Sequence, residues 1–65
     1  MENTQSSEVK RLFDALLPYI HLTPDNRRVL MEICTSLVYE NPDLDFDMRA
    51  DSAYQAIKHL GLIKA

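Results

Sequence analysis

The sequence predicts an all-α fold, a small three-helix bundle that is dimeric, with helices over about 7–20, 24–40 and 46–60. Three observations predict it. Apolar residues recur at helical spacing in three separate stretches. Helix breakers punctuate those stretches: Pro18, Asn41-Pro42 and the only glycine, Gly61. No stretch makes a convincing strand. Asp43-Leu44-Asp45-Phe46-Asp47 alternates with period two, but it is short, and aspartate is a poor strand former.

The first residues, 1–6, are polar and have no apolar face to anchor them, so a frayed, disordered tail is expected there, followed by a single helical domain over 7–65. Ser6 or Ser7 offers a hydroxyl for the first orphan amide of the first helix, and Glu8 brings negative charge to its N-terminus. Val9, Leu12, Phe13, Leu16, Leu17 and Ile20 then line one face, with Lys10, Arg11 and Asp14 opposite. Pro18 has no N–H to donate and crowds the carbonyl of Asp14, so the helix is predicted to break near Leu17.

The second helix has a clear start. Thr23 is a good N-cap, Pro24 sits where a missing N–H costs nothing, and Asp25 suits the first turn. Arg28 and Glu32 are spaced as an i, i+4 pair. Its apolar arc is too wide. At about 100° per residue, Val29, Leu30, Ile33, Cys34, Leu37 and Val38 cover about half the circumference, and Met31 widens the arc further. An ordinary surface helix needs a stripe of a little over ~100°. The surplus predicts either a central helix or a second contact surface.

The third helix begins after an acidic connection, with Asp45 as its cap. Phe46, Ala50, Ala53, Tyr54, Ile57 and Leu60 recur at helical spacing, and Tyr54 is expected in the core. Gly61 stands where a left-handed residue closes a helix, and Leu62 is placed to fold back on Ile57. Lys58 and His59 complement the negative end of the helix dipole.

Composition narrows the function classes. Sixty-five residues make at most one domain, and so short a chain has a marginal core of its own. A single cysteine cannot form an internal disulfide, which leaves a partner subunit as the available stabiliser and a reducing compartment as the expectation. The polar start of the chain and the lack of a long apolar run predict a cytoplasmic protein away from the membrane. A net charge of -3 argues against a phosphate-binding surface.

Chemistry-bearing constellations fail on inspection. Asp43, Asp45 and Asp47 alternate like calcium ligands. A calcium loop starting at Asp43 needs glycine and glutamate where this chain has Met48 and Tyr54, so an acidic turn that caps a helix is the simpler reading. Cys34, His21 and His59 lack the paired short spacing of a zinc site. Cys34 lies on the apolar arc and reads as a core residue with an inert thiol, and His59 reads as a dipole partner rather than a pH sensor. No cofactor, metal or small-molecule substrate is expected, and no enzyme activity.

The remaining expectation is a non-enzymatic adaptor or regulator that binds another protein and is itself a homodimer. Its contact surface is expected at Met31, Cys34, Val38 and Tyr39, with Leu30 and Leu37 shared between core and interface. Acidic Glu40, Asp43, Asp45 and Asp47 would steer a basic partner toward it. One alternative is a helix-turn-helix-like DNA-binding regulator, because Leu60-Gly61-Leu62-Ile63 resembles the end of a recognition helix entering a wing. Arg49, Gln55 and Lys58 would then reach the groove, although Asp43, Asp45, Asp47 and Asp51 oppose them. The other alternative is a monomeric domain that consumes all its apolar residues in the core.

Overall fold

The computed structural model describes residues 4–64. Three α-helices pack against one another: α1 (Thr4–Leu16), α2 (Pro24–Glu40) and α3 (Phe46–His59). This agrees with the three-helix, all-α expectation. A short 3-10 turn, Leu17–Tyr19, follows α1. The break at Pro18 therefore tightens the chain into one 3-10 turn and then releases it, with Ile20 extended (φ -111°, ψ 159°). The helix does not run on to residue 20.

The other end of α1 differs from expectation. Helix begins at Thr4, so Thr4, Gln5 and Ser6 belong to it, and Ser6 and Ser7 are not its caps. The part of the expected tail over residues 1–3 lies outside the described residues.

α2 starts as its sequence dictates. Thr23 is extended, and its hydroxyl oxygen accepts from the Asn26 amide at 3.1 Å. Asn41 ends the helix. Arg28 pairs with Asp25 at 3.4 Å rather than with Glu32. The Arg28–Asp25 pair reaches back toward the helix start, where the negative charge of Asp25 is favoured.

α3 also closes as expected. The Asp45 carboxylate accepts from the Met48 amide at 2.9 Å. At the far end the Leu62 amide donates to the Ile57 carbonyl (2.9 Å) and the Gly61 amide to the Lys58 carbonyl (3.1 Å). These are the two bonds of a Schellman ending, with Leu60 as the last half-helical residue. Gly61 has φ +75°, and a Cβ built there meets nothing within 4 Å. Gly61→Ala therefore carries only the backbone penalty, about 1 kcal/mol, and should lower the melting temperature by about 4–8 °C in a thermal circular dichroism scan.

Past that ending the chain pairs with the α1–α2 connection. The Lys64 amide donates to the Tyr19 carbonyl at 3.0 Å, the His21 amide to the Leu62 carbonyl at 3.3 Å, and Ile20 and Ile63 form an isolated antiparallel bridge. Among the described residues this bridge is the only extended pairing. It gathers the end of α1, the start of α2 and the end of α3 at one pole. At the other pole Arg49 of α3 bonds to Glu8 of α1 and to the Asn41 carbonyl that ends α2. So α2 runs antiparallel to α1, and α3 runs in the same sense as α1.

The core is one cluster. Val9, Leu12 and Leu16 come from α1, Ile20 from the connection, Leu30, Cys34 and Val38 from α2, and Ala53 and Ile57 from α3. Each helix thus buries a narrow stripe at i, i+3 or i+4. Tyr54 is only half-buried and packs edge-on against the exposed Tyr19, with ring centroids 5.7 Å apart.

Candidate functional site

α2 divides its wide apolar arc three ways. The centre of the arc, Leu30, Cys34 and Val38, is fully enclosed. One flank, Val29, Ile33 and Leu37, is half-buried and faces a shallow notch beside Ser52 and Ala56 of α3. The other flank reaches solvent: Met31 is 40% exposed and Tyr39 43%. So the expected contact surface loses Cys34 and Val38, which sit in the core with no surface to offer. Leu30 is wholly core rather than shared. Leu37 is half-buried and packs against the core.

Met31 and Tyr39 do not stand alone. With Thr35 between them they form one wall of a groove, and α1 forms the other with Val9, Phe13 and the rim residues Ser6, Lys10 and Asp14. The groove measures about 620 Å³ but lies open to solvent along its length. It cannot strip water from a small molecule as an enclosed pocket does. A row of apolar side chains from another protein suits it better. Three of its polar side chains are bonded within the chain. The Thr35 hydroxyl donates to the Met31 carbonyl at 2.8 Å. Lys10 pairs with Asp14 at 3.1 Å. Thr35 can therefore be covered without stranding its hydrogen.

The acidic residues serve several purposes. Asp45 is the cap of α3, Asp47 lies in the first turn of that helix, and Glu40 accepts from the Ser36 hydroxyl on its own helix. Asp43 is exposed in the α2–α3 connection. Charge in this connection is therefore partly committed to ending one helix and beginning the next.

Arg49 is placed differently from the nucleic-acid expectation. It is 7% exposed, and it lies in the buried stripe of α3 with Ala53 and Ile57. Its Nη1 donates to the Glu8 carboxylate at 2.7 Å and its Nη2 to the Asn41 carbonyl at 3.1 Å. One guanidinium thus ties all three helices, and its Nε is left without a partner among the described residues. Beside it Arg11 of α1 stacks over Phe46 of α3, 4.4 Å from the ring centre. The residues proposed to reach DNA with Arg49, Gln55 and Lys58, are both exposed in the second half of α3, near His59.

Cys34 is inert by placement. Burial pushes its thiol up to about 12, so at neutral pH it is neither a nucleophile nor a ready metal ligand. Among the described residues no three His, Cys, Asp or Glu side chains are arranged to hold a metal ion, and no helix is long and apolar enough to cross a membrane.

Sequence reasoning missed two things here. It did not see α1 as the second wall of the groove, because Phe13 and Val9 read as ordinary core positions. It did not place Arg49 in the interior, although position 49 lies one turn before Ala53 and two before Ile57, in register with them. Set against known protein families, curated proteins and solved structures, the chain matches none of them.

Proposed function

We propose that this chain is a non-enzymatic adaptor or regulator that works by binding protein, as a homodimer, through the groove between α1 and α2. The observation that carries this reading is the pair Met31 and Tyr39. Two large side chains, each two-fifths exposed, flank a largely apolar cleft in which the Thr35 hydroxyl is already bonded to the Met31 carbonyl. Methionine and tyrosine are suited to such a surface, one adaptable and one rigid with a polar tip. The interior placement of the only cysteine fits a protein without nucleophilic chemistry.

The DNA-binding alternative is weakened by Arg49. The only basic residue in the first half of α3 faces inward and is neutralised by Glu8. The exposed side chains there include Asp47 and Asp51, which phosphate repels.

Sedimentation equilibrium across a concentration series tests the proposal. The protein should be dimeric at tens of micromolar. Met31→Glu should abolish association while leaving the helical circular dichroism intact, because position 31 is exposed in the single subunit. A fully helical monomer at that concentration, or a Met31→Glu variant that associates normally, would remove the reading.

A further inference from the structure

The fold sorts its charge by pole. At the pole where Ile20 meets Ile63, residues 19–28 and 57–64 carry four basic residues (Arg27, Arg28, Lys58 and Lys64) and one acidic residue, Asp25. At the other pole residues 40–51 carry five acidic residues and one basic residue, the buried Arg49. A chain of net charge -3 thus keeps a positive end. Of the acids nearest that end, Asp25 pairs with Arg28 and Asp14 with Lys10. Arg27, Lys58 and Lys64 are exposed and in no ion pair among the described residues. The exposed apolar side chains Tyr19, Leu22 and Leu60 stand at the same end.

The bridge there leaves an unfinished edge. Its two hydrogen bonds run from the His21 amide to the Leu62 carbonyl and from the Lys64 amide to the Tyr19 carbonyl, so they flank Ile20 and Ile63 rather than join them. In an antiparallel pair of that kind, the N–H and C=O of each central residue point away from the facing strand. The Ile20 amide folds back on the Leu17 carbonyl at 3.3 Å. The Ile63 amide and carbonyl have no hydrogen-bond partner among the described residues, although Ile63 is half-buried against the core. An extended edge with a free donor and a free acceptor is a template for another strand.

We infer that residues 62–64 take an extended acidic segment of a partner protein as an added strand. Ile63 supplies the central pair of backbone bonds, and the positive pole supplies the charge that draws acidic side chains to it. Chemistry selects this occupant. Ile63 offers a donor and an acceptor together, and a polypeptide backbone answers both. A phosphate, on a nucleic acid or a lipid, only accepts and leaves the Ile63 carbonyl unanswered. A second copy docked pole to pole would set its own four basic residues against these. This surface shares no residue with the groove between α1 and α2, and neither reading depends on the other.

A dye-labelled heptapeptide of alternating glutamate and valine, blocked at both ends, tests the inference on the 65-residue chain. Fluorescence anisotropy should show binding, and the same peptide with lysine for glutamate should bind at least about tenfold more weakly. In amide hydrogen exchange followed by NMR, saturating peptide should slow the Ile63 amide at least about tenfold. The double variant Lys58→Glu, Lys64→Glu should weaken binding at least about tenfold with its helical circular dichroism unchanged, because both positions are exposed and unpaired. No binding, equal binding of the lysine peptide, or binding that leaves Ile63 exchange unchanged would overturn the added strand. A thymidine oligonucleotide that slows the Ile63 amide as much as the acidic peptide would assign the pole to nucleic acid instead. An Ile63 amide that slows with protein concentration alone would assign the edge to a second copy. Each of these results overturns the inference and leaves the groove reading standing.

Discussion

Leu30→Ala should destabilise the domain by about 3 kcal/mol, while Met31→Ala, one residue later, should cost less than about 1 kcal/mol in the monomer. Leu30 has no exposed surface and sits in the cluster that joins all three helices. Truncating it removes an isopropyl group and leaves a cavity that the surrounding core only partly collapses to fill. A domain of this length has roughly 3–10 kcal/mol of total stability at the usual value per residue. The loss is therefore a large fraction of the whole, and the melting temperature should fall by roughly 12–24 °C. Met31 is 40% exposed and its removal opens no cavity. Urea unfolding followed by circular dichroism, at a concentration low enough to keep the chain monomeric, measures both. Equal costs at the two positions would mean that the division of α2 into core and surface is wrong. Under the proposed dimerisation, Met31→Ala should forfeit at higher concentration a mass-action stabilisation that Leu30→Ala retains.

The fold was legible where local chemistry decides it. Thr23-Pro24 and Asp45 announced two helix starts, and Gly61 with Leu62 announced a helix end, because each of these acts through its own backbone or through neighbours within four residues. The start of α1 was not legible. Thr4, Gln5 and Ser6 carry no apolar stripe, and Ser6 and Ser7 offered caps for a later start, so polarity suggested a tail where helix stands. The pairing of Ile20 with Ile63 was equally hidden, since it joins positions far apart in the chain through a single bridge.

The candidate site was legible in outline. Counting apolar positions around α2 showed that they outnumber those one stripe can enclose, and the structure leaves Met31 and Tyr39 at the surface. Counting could not say which of the remaining positions win the interior. That choice depends on where α1 and α3 approach, and they approach over Leu30, Cys34 and Val38, leaving the two flanks unequally covered. Arg49 shows the same limit from the polar side. An arginine between two aspartates reads as a solvated surface residue, and only the arrival of Glu8 and the end of α2 makes an interior position affordable for it.

Arg49→Ala should cost about 3 kcal/mol, and Arg49→Met should recover most of that loss. The alanine variant deletes a charged hydrogen bond to Glu8, a second to the Asn41 carbonyl, and the long side chain that fills the space among the three helices. Removing one partner of a buried ion pair costs about 3–5 kcal/mol, and the low end applies because Glu8 keeps 43% of its side-chain surface in water. Methionine restores the volume without the charge. Glu8 can then turn outward, the carbonyl of the exposed Asn41 can take water, and the partnerless Nε, which is costly to bury, is gone. Two effects decide between packing and charge as the role of this residue. If packing dominates, Arg49→Met stands within about 1 kcal/mol of the parent protein in urea unfolding, as ion pairs replaced by apolar groups of similar volume often do. If the charged tie dominates, methionine and alanine fall together, and hydrogen exchange quickens at the start of α1 and the end of α2 in both. We expect the first outcome, because half-exposed Glu8 has water to return to, whereas the space around the Arg49 stem has nothing else to fill it.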